Sequence, residues 1–342
     1  MTRRVKIGNV EIGGGAPVAI QSMTTADTKN TDAVCAQISA LCGAGCEIVR
    51  LAAYDVDAAK NIKNIKDRVD VPIVADVHFD YKIAIAAIEA GADKVRINPG
   101  NIGDERRIAA VADAARMHGV PIRVGANTGS LKDSSGDRTE ALVKSALENI
   151  ELLEKQGFYD IVVSLKSSDV AQTVAAYRKM SALRDYPLHL GVTEAGTLNS
   201  SMVKSSIGIG ALLIDGIGDT IRASVTGDPV SEIALAKDIL RYSGVRAFGC
   251  EVIACPTCAR TRIDIEKLAK EVERRTSHID KNIKIAVMGC VVNGPGEAKD
   301  ADIGIAGGDG VGVLFKKGEF LGKYPEDKLI DALMDNIEEM VR

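Results

Sequence analysis

Short β-branched runs alternate with longer amphipathic stretches eight times in the first two thirds of the chain, and this period limits the possible folds severely. The strand candidates are residues 18–23, 47–52, 71–79, 94–99, 120–127, 160–166, 187–194 and 211–225. Between them lie helix-like segments such as 32–45, 81–90, 106–118, 140–156 and 231–242. Gly91 and Gly119 close two of these, where a left-handed cap is expected. Val-Pro steps at 71–72 and 120–121 then open the next strands, because proline stops helix continuation. Eight βα units predict a (β/α)8 TIM barrel, with an open doubly wound sheet as the alternative. Residues 5–12, with Gly8 and Asn9 at their centre, read as a hairpin under the barrel floor.

The pattern changes after Tyr242. A charged helix (264–278), a buried strand (283–288), three glycine-rich strands (303–308, 311–315, 319–324) and a terminal helix (325–340) follow. The expectation is a substrate-binding barrel over 1–243 and a smaller α/β domain over 244–342.

Five barrel strands carry a cation inside or at the end of an apolar run: Arg50, Arg96, Arg123, Lys166 and Arg222. A buried unpaired cation is costly. In a barrel the C-terminal strand ends converge on one mouth, so five cations there call for a dense anion, and arginine forks suit phosphate oxygens. The bland alternative pairs each cation with a neighbouring carboxylate such as Asp76 or Glu194. Only those two are evident at strand ends, so a small molecule with more than one phosphate is expected. Asn98, Asn127, Ser164 and Ser224 share the rim. His78, two residues past Asp76, lies on the same strand face and is the better histidine for a polar role. His189 reads as a core residue.

The 43 Lys and Arg against 47 Asp and Glu leave a net charge of −4, so no basic excess argues for nucleic acid or a membrane surface. The apolar run at 207–214 is far shorter than the ~20 residues of a membrane span. The N-terminus lacks an apolar signal core. Seven cysteines in two clumps suit a cytoplasmic setting and thiolate chemistry better than disulfides. Cys35, Cys42 and Cys46 read as helix packing. Cys255 and Cys258 form a C-x2-C knuckle, and Cys290 supplies a third thiolate. Such thiolates hold zinc or an iron–sulfur cluster. With Cys250 the run becomes C-x4-C-x2-C and a distant Cys, which by spacing alone suits a plant-type [2Fe–2S] centre; His278 remains an option for zinc.

Together CPTCARTRID, VMGCVVNGPGE, QSM followed by two threonines, DVHF and RINPGNIG resemble, over the whole chain and in order, the bacterial-type 4-hydroxy-3-methylbut-2-enyl diphosphate synthase family. The resemblance implies a TIM barrel followed by an iron–sulfur domain similar to those of sulfite and nitrite reductases. It implies two-electron reductive ring opening and dehydration of 2-C-methyl-D-erythritol 2,4-cyclodiphosphate in non-mevalonate isoprenoid synthesis. The implied cofactor is a [4Fe–4S] cluster on Cys255, Cys258, Cys290 and Glu297, which leaves Cys250 out. The diphosphate-binding positions would be Arg50, Arg96, Asn98, Arg123, Asn127, Lys166, Arg222 and Ser224. The catalytic set would be Asp76, His78, Glu194 and Glu297.

No G-x-G-x-x-G opens a helix ahead of a downstream acid, so a nicotinamide site is not expected and electrons would come from flavodoxin or ferredoxin. Two other readings compete: a cluster-free barrel enzyme on a phosphorylated or pterin-like substrate with a zinc knuckle, and a redox-sensing scaffold. Chain geometry adds an expectation about assembly. The last barrel helix runs back toward the floor, and the 13 residues from Tyr242 to Cys255 span at most ~45 Å fully extended. A cluster would reach its own barrel mouth only under strain. A homodimer whose site is shared between chains is therefore expected, in keeping with the family's head-to-tail dimer.

Overall fold

The computed structural model describes residues 1–127, 137–290, 296 and 299–342, with Asn127 described by its backbone alone. Two compact units result, Met1–Arg246 and Ala247–Arg342.

In the first unit, β1 (Val5–Ile7) and β2 (Val10–Ile12) form an antiparallel hairpin. Eight parallel strands follow: β3 (Ala19–Met23), β4 (Ile48–Ala52), β5 (Ile73–Asp76), β6 (Lys94–Ile97), β7 (Ile122–Asn127), β8 (Ile161–Lys166), β9 (His189–Leu190) and β10 (Thr220–Ile221). Their spatial order is β8-β7-β6-β5-β4-β3-β10-β9, and a single bridge between Val163 and Leu188 brings β8 back to β9. The sheet thus closes on itself as the eightfold period requires. Val5, Ile7 and Ile12 of the hairpin pack on Ala19, Ile48, Val74 and Val162, the inward residues at the strand starts. The floor is therefore an apolar plug, and burying each such side chain contributes about 1.5–3 kcal/mol.

The surrounding helices are α1 (Thr31–Ala44), α2 (Val56–Lys66), α3 (Tyr81–Glu89), α4 (Pro99–Ile102), α5 (Glu105–His118), α6 (Arg138–Glu154), α7 (Val170–Leu183), α8 (Leu198–Ile214) and α9 (Val230–Tyr242). Asp55, Asp80, Asp104, Asp137 and Asp169 each stand at an N-cap and accept a backbone N–H, so the entries to α2, α3, α5, α6 and α7 are written locally. Gly91 and Gly119 have positive φ, as their positions after α3 and α5 demand.

The expected strand over 211–225, which Gly216 and Gly218 could break, survives only beyond those glycines. Residues up to Ile214 belong to α8, and only Thr220 and Ile221 form β10. The run at 207–214 is apolar on every side, so it has no period to separate a strand from a buried helix. Gly208 explains the composition: a Cβ there would lie 2.6 Å from Val192, so glycine lets α8 lie close against the barrel. The strand expected over 187–194 shrinks to His189–Leu190. The strand expected over 94–99 stops at Ile97 because Pro99 opens α4.

In the second unit β11 (Cys250–Ala254), β12 (Ile283–Met288) and β13 (Ile303–Gly307) are parallel, and β14 (Val311–Lys316) and β15 (Glu319–Pro325) continue the sheet antiparallel. Helices α10 (Ile265–Thr276) and α11 (Leu329–Val341) share one core with the sheet, through Leu268, Val272, Ile285, Ile305, Leu333 and Ile337. The helix expected over 325–340 begins later, after a 3-10 turn at Glu326–Lys328.

Candidate active site

A cavity of about 210 Å³ lies at the C-terminal ends of the barrel strands. Five cations line it (Arg50, Arg96, Arg123, Lys166 and Arg222), with one carboxylate, Asp76, and with His78, Ser164, Thr193 and Ser224. The barrel register brings them together, since Asp76 is paired with Arg96, and Arg96 with Arg123, across successive strands. Side chains two apart on a strand share a face, so Arg50, Asp76, Arg96 and Arg123 all point inward.

Asp76 holds two of the cations. Arg96 Nη1 donates to its Oδ1 at 3.1 Å, and Arg50 Nε lies 3.5 Å from its Oδ2. Burial alone would push the Asp76 carboxyl up; Arg50 first, then Arg96 and Arg123, overcome it and hold the group at about 2. Burial pulls Arg50 down to about 10, with Asp76 opposing. Both groups are therefore ionised at neutral pH. Arg50 also directs Nε and Nη2 at Met23 Sδ, at 3.1 and 3.0 Å. A thioether is a weak acceptor, so much of this guanidinium's hydrogen-bonding capacity is unused.

Arg222 is paired by a residue the sequence did not reveal. Glu232, in the first turn of α9 and only 2% exposed, accepts from Arg222 Nε at 3.0 Å and Nη2 at 2.9 Å. The same carboxylate accepts from Ser22 Oγ at 2.7 Å and Val225 N at 3.1 Å, which fixes it fully. An acid in the first turn of a helix is ordinarily explained by the helix dipole, and that disguised it.

The remaining two cations, Arg123 and Lys166, form no ion pair with a carboxylate among the described residues. Arg123 Nε and Nη1 are buried without a hydrogen-bond partner among the described residues. Lys166 Nζ sits 3.5 Å from His189 Nε2, and His189 Nδ1 lies 2.8 Å from Thr220 Oγ1. Burial first, then Arg123, Lys166 and Lys94, pushes His189 well below the usual imidazole range, so it is neutral and serves as a core hydrogen-bonding residue. Burial and the neighbouring arginines push Lys166 down as well. Such a cluster is stabilised by an anion that accepts from several donors at once.

Two glycines make room for it. A Cβ on Gly125 would lie 2.6 Å from Arg96 Nε, and one on Gly191 would lie 3.0 Å from Lys166 Nζ. Gly125 lies within β7 and Gly191 directly follows β9, and a side chain at either would press on a cation. The sequence shows them as strand glycines, which signal a close approach without saying of what.

Other expected residues are placed differently. His78 is exposed at the cavity edge, with Nε2 3.3 Å from Arg96 Nη1. Asn98 stands at the N-cap of α4 with its Oδ1 buried and without a hydrogen-bond partner among the described residues, outside the cavity wall. Glu194 is exposed, with a left-handed φ of 53°, and is also outside the wall, where its neighbour Thr193 takes the place. Asn127 ends β7 in register with Lys166. Glu297 lies outside the described residues.

In the second unit, Cys255 directly follows β11, and Cys290 follows the neighbouring parallel strand β12. Cys255 N donates to Val287 O at 3.3 Å, and Gly289 N donates to Cys255 Sγ at 3.1 Å. Cys258 is exposed, and backbone hydrogen bonding at Arg260 holds its thiol below the usual range. Among the described residues no three His, Cys, Asp or Glu side chains are arranged to hold a metal ion as they stand. The donor chemistry nevertheless fits a thiophilic metal: soft sulfur ligands from two adjacent strand ends, one already receiving an N–H and one inclined to the thiolate. Cys250 opens β11, whereas Cys255 lies just beyond its other end; at ~3.3 Å per residue the strand separates them by roughly 16 Å. The four-cysteine spacing is thus not a single site.

A barrel mouth built for a small polyanion, on a chain whose second unit offers clustered thiols, defines a TIM-barrel enzyme with a thiolate-bearing partner domain. Residues 2–237 match the GcpE TIM-barrel domain and residues 251–339 the GcpE protein C-terminal domain; the chain belongs to this family. A 4-hydroxy-3-methylbut-2-en-1-yl diphosphate synthase (flavodoxin) from Caldanaerobacter subterraneus subsp. tengcongensis is 57% identical over 347 residues, covering 100% of this chain and 98% of that one. A protein of the same name from Clostridium perfringens is 54% identical over 342 residues, covering 98% of each chain. Among solved structures, the barrel is similar to dihydropteroate synthase from Xanthomonas albilineans (TM-score 0.53, 13% identity, 71% of this chain and 98% of that one). The Yersinia pestis dihydropteroate synthase is similar to the same degree (TM-score 0.53, 14% identity, 72% and 100%). At such identities these two show the barrel fold alone.

Proposed function

We propose that this chain is an oxidoreductase of non-mevalonate isoprenoid synthesis. It converts 2-C-methyl-D-erythritol 2,4-cyclodiphosphate to 4-hydroxy-3-methylbut-2-enyl diphosphate. One ring C–O bond to phosphate breaks and one hydroxyl leaves as water, so each turnover takes up two electrons and two protons. The observation that carries the reading is the cavity of five cations around, among the described residues, a single carboxylate, on a chain with full-length relatives named for this activity.

The chain's own residues bind and orient. Arg123, buried, and Lys166, half-buried, neither ion-paired to a carboxylate among the described residues, take the diphosphate oxygens, joined by Arg50 and Arg222, whose positions Asp76 and Glu232 fix. Because these donors are held before the substrate arrives, they stabilise the diphosphate charge released by ring opening with little reorganisation. His78 and Arg96 meet at the solvent edge, which suits them to proton delivery or to the leaving hydroxyl. Glu194 lies on the loop after β9 in a strained left-handed backbone, and substrate is proposed to draw it inward. Asn98, Asn127, Ser164 and Ser224 complete the rim.

Cys255, Cys258 and Cys290 would hold a [4Fe–4S] cluster, with Glu297 as fourth ligand. When bound, that cluster supplies electrons singly and a Lewis-acidic iron for the leaving oxygen. Flavodoxin, named in the relatives, or ferredoxin would be the electron donor, and the setting cytoplasmic. No helix among the described residues is long and apolar enough to cross a membrane.

The short chain between α9 and Cys255 supports a homodimer in which the cluster unit of one chain serves the barrel of the other. The decisive assay is anaerobic turnover of the cyclic diphosphate with reduced flavodoxin. Failure of iron- and sulfide-replete protein to form product would overturn the reading. Mixing Lys166→Ala with Cys290→Ser then tests assembly. Restored activity supports a shared site, and a dead mixture after confirmed subunit exchange excludes it.

A further inference from the structure

Lys94 has no place in the site described so far. It begins β6 two residues before Arg96, so both point into the barrel, with Lys94 nearer the floor. Its cross-strand neighbour is Val74, part of the apolar plug. The side chain is 0% exposed, and Nζ has no hydrogen-bond partner among the described residues.

The charges around Lys94 are unfavourable to an ammonium. Arg123 on β7 and Arg50 on β4 push it toward the neutral amine, on top of its burial. The one carboxylate lining the cavity among the described residues, Asp76 on β5, is engaged by Arg50 and Arg96. Beneath it the hairpin and the strand starts contribute an apolar layer. An ammonium in this setting is unpaired in a low dielectric, and the group escapes that cost by giving up its proton.

We propose that Lys94 is a reserve cation of the diphosphate site: an uncharged amine in the free enzyme that takes up one proton as the anion binds above it. The inference rests on the proposed substrate. Each phosphorus of the cyclic diphosphate bears one strongly acidic hydroxyl, so the ligand brings two negative charges and exchanges no proton near neutrality. Those charges offset the arginines that disfavour Lys94 ammonium. Lys94 thereby acts through the field of the site rather than by contact, as a positioning residue. The sign follows from linkage: a group that gains a proton on binding makes affinity fall as pH rises between its free and bound pKa values.

The test is titration calorimetry of the oxidised holoenzyme with the cyclic diphosphate, without reductant, in buffers of different ionisation enthalpy. Wild-type protein should take up protons at neutral pH. Lys94→Met should take up about one fewer, bind roughly tenfold more weakly at pH 7, and show a flatter dependence of log Kd on pH. Its unliganded Tm should equal or exceed that of wild type, because the amine removed has no partner; if this variant does not fold, Lys94→Gln takes its place. Heats independent of buffer in wild type would overturn the proposal. So would an undiminished proton count in the variant, which would assign uptake to Lys166 or His189. Absence of binding by wild type would instead sink the diphosphate reading, and this inference with it.

Discussion

The barrel mouth and the thiol end of the second unit use the same architectural device, the C-terminal ends of adjacent parallel strands. They differ in how the functional groups are held. At the mouth, Arg50, Arg123 and Asp76 are buried within the strands, and packing and ion pairs fix their positions. In the second unit the thiols follow the strands; Cys255 and Cys290 are half-buried and Cys258 is exposed. An anion gains most from donors already in place, because reorganising dipoles during the reaction is costly. A metal makes strong bonds to a few soft ligands, so its binding energy can itself order the loops that carry them. The comparison therefore teaches that rigidity is spent where individual interactions are weak.

The largest effects should come from breaking the second region. Cys255→Ser or Cys290→Ser replaces a soft ligand by a hard, poor one, and both iron content and turnover should fall by more than about a hundredfold. Cys250→Ser should leave iron and acid-labile sulfide unchanged, because its strand holds it roughly 16 Å from Cys255. Loss of iron in that variant would restore the four-cysteine site. Glu297→Ala sharpens the test: a carboxylate is the weaker ligand, so much of the iron should stay while turnover collapses.

In the barrel, the next effect should follow from a single added methyl. Gly125→Ala places a carbon 2.6 Å from Arg96 Nε, so the guanidinium must leave Asp76. Displacements near 1 Å at a positioning group can cost about a hundredfold in kcat/KM. Stability should change far less, because the displaced side chain borders a cavity. Unchanged kinetics would mean that Arg96 is not held where the reaction needs it. Glu232→Gln should act more mildly on rate and more on stability. Arg222 loses its buried anion but keeps a solvent-facing edge, so KM should rise roughly tenfold and unfolding free energy fall by about 2–4 kcal/mol.

Much of this was legible in the sequence, for identifiable reasons. The eightfold period marks the barrel because each strand–helix unit repeats its own caps, such as Asp55, Asp104 and Gly119. The five cations stand out because charge inside an apolar strand is rarely accidental. Glu232 and Lys94 did not stand out. Glu232 sits on a helix, where a first-turn acid has a local explanation, and its partner Arg222 is ten residues away on a different element. Lys94 begins its strand, where a lysine normally reaches solvent; only barrel closure over the plug buries it. The shortness of β9 and β10 escaped too, because most of their ladder is irregular and the long apolar helix before β10 mimics a strand.

That irregular seam carries the smallest expected effect. Between β8 and β9 the backbone ladder is reduced to one bridge, from Val163 to Leu188. Above it the Tyr177 hydroxyl, brought in by α7, donates to His189 O and accepts from Leu165 N at 3.1 Å. A side chain thus spans the seam where a ladder bond would otherwise run, next to Lys166. Burial pushes the phenol well above its usual range, so it remains a neutral donor at every working pH. Tyr177→Phe keeps the ring and its packing but leaves a buried N–H and a buried carbonyl without that partner. The cost should be about 1–3 kcal/mol, or roughly 2–12 °C in Tm for a unit of this size. If the seam closes by direct pairing of the two strands, the loss will be smaller, and Lys166 will move with β8. KM for the cyclic diphosphate then separates the cases. An unchanged KM with a lowered Tm means that Tyr177 only fills the seam, whereas a raised KM with an unchanged Tm means that it sets the position of Lys166.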